Sequence, residues 1–241
     1  GYCHYDNDIG EFMCGYRKID LEQWARKEHY LYYTNSLNVE VNMTANMDVS
    51  ELLSFCHTNG YKFYPTLIYC VTKVLNQIEN FKMFKDKNGD LCVWDSLVPN
   101  YTIFHEEDHT FSDCWTDFTD DFDSFYKNIT SDMELGKTKR GIKVKEGQPA
   151  NFYCVSCTPW TAFTAVSSRV VNGGAAFFPI ITAGKYDDNY QMPVNITIAH
   201  AVADGYHIGL FFEYLQEEMS VECLKSHHKA TEEAAAVAFR L

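Results

Sequence analysis

A single mixed α/β domain is predicted by three features of this 241-residue chain. Segments with the two-residue alternation of strands are interleaved with segments of helical spacing from end to end. No stretch repeats, and no linker divides the chain. At 46% hydrophobic, the sequence carries enough apolar mass for one large core.

Residues 1–18 show no clear period and are expected to form an extension. The domain proper is expected over 19–220, with 221–241 as a tail. Leu21, Trp24 and Leu31 share a helical face, which predicts a helix over 21–33 capped by Asp20. Asn38 to Met43 alternates as a strand. Asp48 to Thr58 predicts a short helix stopped by Asn59-Gly60. Pro65 opens a long apolar helix to about residue 79, at a position where its missing N–H costs little. Lys85 to Trp94 predicts a hairpin turning at Asn88-Gly89.

Tyr101 to His105 predicts another strand, and Asp113 to Met133 an amphipathic helix with an acidic outer face. Residues 136–150, GKTKRGIKVKEGQPA, are the one basic, Gly-containing run, either a solvated loop or a patch that helps meet an anionic ligand. Asn151 to Ser156 is expected as a strand. Ala175 to Ala183 is nearly all apolar, as a central strand would be. A turn at Asp187 to Asn189 leads into the last strand, and the tail has the composition of a helix.

Composition limits the partners. A net charge of −13 argues against nucleic acid or an anionic membrane as the main partner, since both need a basic surface. No apolar run approaches the roughly 20 residues of a membrane span. The opening GYCHYDNDIGEF lacks the basic and apolar regions of a signal peptide, so a cytoplasmic location is expected. Nine cysteines, an odd number, fit reduced thiols better than a disulfide framework. Cys154 and Cys157 form a C-x-x-C within a predicted strand. There they point to opposite faces, which suits neither a redox pair nor a zinc site.

The stretch VNITIAHAVADGYHIGLFFEYLQ, residues 194–215, carries the most chemistry. Val194, Ile196, Ile198 and His200 share one parity, so a strand ends on an imidazole at its apolar side. Ile208, Phe211, Phe212 and Leu215 then repeat at helical spacing behind Asp204, placed to cap. His200 is either a satisfied core histidine or a desolvated general base for a hydroxyl or thiol. Asp204 can likewise be read as a helix cap and nothing more.

Seven segments in order carry a resemblance to a known family: WARKEHY (24–30), YKFYP (61–65), VWDS (93–96), TIFHEEDHTFS (102–112), VSCTPW (155–160), FFPIITAGKY (177–186) and AHAVADGYH (199–207). From Tyr16 to Glu217 the chain resembles the chloramphenicol acetyltransferase family. The resemblance implies a two-layer sandwich, a mixed β-sheet with helices on one face. It also implies a homotrimer with active sites between subunits, acetyl-CoA as co-substrate, a small-molecule acceptor and no metal.

By the same resemblance, His200 falls on the family's general base. Ser156 falls on the serine that stabilises the tetrahedral oxyanion, and Thr182 on a threonine that holds a water nearby. Arg26 and Asp204 match a structural pair that braces the site. Lys62, Tyr64, Trp160, Lys185 and Tyr186 fall near positions that line the family's coenzyme A tunnel. Tyr33, Phe111, Val166, Ser168 and Val170 fall at acceptor-binding positions.

The chain departs from the family at the acceptor. Ala199 replaces a histidine and Ala203 a cysteine, while Val166 stands for a phenylalanine and Ser168 for a leucine. The last two changes enlarge and wet the pocket. Chloramphenicol is the expected acceptor, with a different hydroxyl or a thiol such as dihydrolipoamide as the alternative. A trimer that binds small aromatic molecules without turnover is a second alternative.

Overall fold

The computed structural model of the protein describes residues 15–227. The elements are β1 (Tyr16–Lys18), α1 (Lys27–Asn35), β2 (Glu40–Asp48), α2 (Ser50–Asn59), α3 (Phe63–Gln77), a 3₁₀ turn (Glu79–Lys82), β3 (Met83–Lys85), β4 (Leu91–Trp94), β5 (Val98–His105) and β6 (Thr110–Trp115). They continue with α4 (Phe122–Lys137), β7 (Phe152–Thr158), β8 (Ile180–Gly184), β9 (Gln191–Ala199), α5 (Gly205–Glu218) and a helical segment over 221–227. The mixed α/β class is as expected.

Six strands form the main sheet in the order β2-β9-β8-β7-β5-β6. The β8–β7 and β7–β5 pairs are parallel and the others antiparallel. A small sheet, β1-β4-β3, stands apart.

Alternation gives the main sheet two unlike faces. Tyr101, Ile103, Tyr153, Val155, Ile181, Val194, Ile196 and Ile198 are buried on one. Helices pack there: Thr72 of α3 shares a 2.6 Å hydrogen bond with Tyr153, and Gly136 of α4 lies against Ile103. A Cβ on Gly136 would come within 2.4 Å of Ile103 Cδ1, so a larger residue here would make the Ile103 side chain turn aside. The other face is polar, with Asn42, Thr44, Asn100, Cys154, Ser156, Thr182, Asn195 and Thr197 in registered rows. The irregular segment 160–179 passes over it, its Val166 carbonyl accepting from Asn195 Nδ2 at 3.1 Å.

Several boundaries differ from expectation. The helix expected over 21–33 begins only at Lys27. Residues 20–24 instead form isolated turns, and Asp20 accepts from Glu22 N–H without capping a helix. Residues 113–115 belong to β6, and α4 starts at Phe122 behind Asp121, which accepts from Ser124 N–H. Buried Ser112, Cys114 and Thr116 alternate with less buried neighbours, a strand period that the acidic spacing concealed.

The strand expected over 175–183 is limited to Ile180–Gly184, because Pro179 has no N–H to pair and Ala176 turns its carbonyl to Ala199 N–H. Residues 16–18, expected in the extension, pair with β4. The tail is helical over 221–227, with Leu224 buried, and the rest of the expected tail helix lies outside the described residues. The Asn59-Gly60 stop and the turn at Gly89 are as expected, both glycines holding positive φ (72° and 80°).

Candidate active site

β9 ends at Ala199, one residue before the imidazole that was expected to finish it. His200 opens a turn, its N–H donating to Val39 O at 2.9 Å. Arg26, just ahead of α1, reaches across to this turn. Its Nε and Nη2 donate to the two oxygens of Asp204 at 2.8 and 2.7 Å. Nη1 and Nη2 also donate to the carbonyls of Ala201 (2.7 Å) and His200 (2.9 Å). One planar fork therefore ties the end of β9 to the start of α5, a geometry that lysine cannot reproduce. The Arg26 hydrogen bonds hold the Asp204 carboxyl below its usual range, against the opposing effect of burial.

The His200 ring stacks on Tyr33 of α1, with centroids 4.1 Å apart and planes 19° from parallel. Its Nδ1 lies 3.0 Å from Ala203 O. A carbonyl only accepts, so Nδ1 carries the hydrogen and the neutral ring presents its lone pair at Nε2. The side chain is 24% exposed, neither sealed in the core nor freely solvated. Together these features suit a base.

Ser156 and Thr182 stand side by side across β7 and β8, and Thr182 is opposite Asn195 on β9. Asn195 joins the row to β2 by donating to Asn42 Oδ1 and Thr44 Oγ1, both at 2.9 Å. His200 is five residues further along β9, or roughly 16 Å at about 3.3 Å per residue. Ser156 is about 10 Å further across two strands. Within one chain, then, His200 and the hydroxyl row do not meet.

The expected cofactor residues divide. Trp160, Lys185 and Tyr186 surround one cleft of about 440 Å³, with Asp187 and Asp188 on its rim. Trp160 is 61% exposed and meets Phe104 edge-on at 4.7 Å. Lys62 instead pairs with Glu134 at 3.1 Å, and the Tyr64 hydroxyl reaches Thr102 O at 3.4 Å. Neither lines this cleft. Because β9 runs antiparallel to β8, the cleft and His200 lie at opposite ends of the sheet.

Of the residues expected to bind the acceptor, Tyr33 accompanies His200, and Phe111 stands opposite Phe104 at the cleft end. Val166 is half-buried over the polar row, whereas Ser168 is exposed and Val170 half-buried further along the same segment.

Other clusters carry less chemistry. Buried His105 lies 2.7 Å from Ser112 Oγ, but Arg140 Nη1 donates to its Nδ1, leaving Nε2–H to donate to a serine that itself donates to Gly141 O. That serine is not being activated. The basic run is spent internally, with Lys137 on Glu134, Arg140 on Glu107 and Asp108, Lys143 on Asp113 and Lys145 on Asp132. Cys154 and Cys157 point to opposite faces, and burial pushes both thiols up to about 11.

Two residues at the site were missed in the sequence. His207 Nδ1 accepts from Asp204 N–H at 2.9 Å, and its place three residues after the cap was the available signal. Asn195 had no signal beyond lying on the polar parity of β9.

The family model described as "Chloramphenicol acetyltransferase" matches residues 4–216. A chloramphenicol acetyltransferase of Clostridium perfringens is 39% identical over 202 residues, spanning 83% of this chain and 92% of the relative. One of Clostridium butyricum is 38% identical over 202 residues, with the same coverage. A solved chloramphenicol acetyltransferase superposes with a TM-score of 0.75 at 22% identity, over 86% of this chain and 100% of that one.

Proposed function

The chain belongs to the chloramphenicol acetyltransferase family, and from that premise we propose that it transfers acetyl from acetyl-CoA to a hydroxyl of chloramphenicol. Three copies assemble as a trimer, each a two-layer sandwich with its helices on one face. The His200 end of one copy meets the Ser156 end of the next. No membrane or nucleic acid takes part, and among the described residues no helix is long and apolar enough to cross a membrane. The setting is the cytoplasm, where the co-substrate is made and where the free cysteines stay reduced. A cell holding such an enzyme would resist the drug.

In this mechanism His200 Nε2 takes the acceptor's hydroxyl proton as its oxygen attacks the thioester carbonyl. The resulting oxyanion receives a hydrogen bond from Ser156 of the partner subunit, with Thr182 of the partner subunit holding a water beside it. As the intermediate collapses, the C–S bond breaks and the proton on Nε2 goes to the departing thiolate. The adenosine end of the coenzyme lies against Trp160, Lys185 and Tyr186. A placed base is worth about 10²–10⁴-fold, and one oxyanion donor about 3 kcal/mol.

The observation that carries this reading is the His200 tautomer, fixed by Ala203 O so that Nε2 is the free nitrogen. It also disfavours a trimer that binds without turnover. Val166 and Ser168, smaller than their family counterparts, favour a second reading in which the acceptor is a different hydroxyl or a thiol such as dihydrolipoamide. Thiol release from acetyl-CoA, measured over a panel of acceptors, separates the two. His200→Ala should lower kcat by about 10²–10⁴ with the fold intact. Turnover that survives this change means another group is the base.

A further inference from the structure

Beyond α5, the chain brings three zinc-type donors together at the far side of the fold. Glu218 ends α5 and is 6% exposed. Cys223 and His227 follow on the segment 221–227, four residues apart and so on one helical face. Their donor atoms all lie within 4.8 Å of one another. Cys223 Sγ is 3.5 Å from Glu218 Oε2 and 3.8 Å from His227 Nε2, and His227 Nε2 is 2.7 Å from Glu218 Oε1.

A tetrahedral ion with bonds of about 2.3 Å to sulfur and about 2.0–2.1 Å to nitrogen or oxygen sets its ligands roughly 3.3–3.6 Å apart. Two of the three separations are near that already. The third is a hydrogen bond, and it opens by about half an ångström when an ion takes the place of the shared proton.

We propose that Glu218, Cys223 and His227 bind a borderline-soft divalent cation of the zinc type. Thiolate and imidazole donors select against magnesium and calcium. On binding, the thiol gives up its proton to solvent and sulfur bonds to the ion, with no change of oxidation state. Cys223 borders an open cleft of about 470 Å³ that Glu217 and Glu222 also line; it admits water to the fourth position, and the two carboxylates favour a cation.

The ion's role is structural. Glu218 is one helix length, about 20 Å, from Asp204 at the other end of α5, too far to touch the reaction. Bound there, the ion ties 221–227 to the end of α5, which in turn packs on α3. The proposal does not depend on the acetyl-transfer reading.

The test is to strip the full chain with a chelator, add cobalt(II) or zinc(II), desalt, and measure bound metal, absorbance and thermal midpoint. Wild type should retain about one ion per chain, show a thiolate-to-cobalt charge-transfer band and melt higher with zinc than without. Cys223→Ser should lose the band, and His227→Gln should weaken zinc binding at least about tenfold. Wild type that retains no metal, cobalt bound without the thiolate band, or metal binding unchanged in Cys223→Ser would each overturn the proposal. The wild-type spectrum decides even if a variant fails to fold.

Discussion

His200 is held on three sides, by Tyr33 against its ring, Ala203 O at Nδ1, and the Arg26 fork beneath its carbonyl. Each contact orients the ring without touching Nε2. Arg26→Lys keeps the charge but loses the fork, and should cost about 2 kcal/mol of stability by thermal or urea unfolding. It should also lower kcat more than it changes KM, since the Arg26 donors are already engaged by Asp204 and two carbonyls; a change confined to KM would contradict this brace. If residue 166 borders the acceptor as proposed, Val166→Phe adds apolar surface worth about 1–2 kcal/mol. It should lower the KM for chloramphenicol several-fold, and an unchanged or raised KM would show that residue 166 does not border the drug. His200 and Asp204 stood out from the period change in their own stretch, whereas the pairing of Arg26 with Asp204 was legible only through the family resemblance. Lys62 was not, because nothing local shows that Glu134, 72 positions away, takes its ammonium.

Among the elements, the start of α5 has a titratable cap. Burial holds His207 below the usual value near 6.5, with Asp204 pulling the other way. The unfolded chain therefore binds more protons than the folded one. Stability from this group is present above about pH 6.5 and is lost as pH falls through the folded value. Asp204, also held low, adds a second loss that begins below the usual carboxylate value near 3.8. Thermal midpoints should fall more steeply between about pH 7 and 5 in wild type than in His207→Gln. Parallel slopes would contradict the cap.

Element types were legible where one period ran unbroken, as in α3 and β9. They were not where tertiary contacts set the boundary. Arg26 is drawn out of a helical pattern by Asp204 and two carbonyls, and residues 113–115 are drawn into β6 by pairing with β5.

For the whole molecule, the sheet separates the chemistry. Arg26, Tyr33, His200 and Asp204 gather at one end, while Trp160, Lys185 and Tyr186 gather at the other, with the Ser156–Thr182 row between. Sequence order gave no hint of this separation, because the parallel β7–β8 pair followed by the antiparallel return of β9 determines it. The division makes sense if a head-to-tail interface closes the site with a second copy.

Mixing two inactive variants tests that account most directly. His200→Ala and Ser156→Ala chains, differently tagged, are co-expressed, and the doubly tagged species is assayed for thiol release. In the proposed trimer every mixed assembly would join one intact His200 to one intact Ser156 of the partner subunit, so about a third of wild-type turnover per trimer should return. Mixed assemblies no more active than either variant alone, or a fully active monomer, would contradict it.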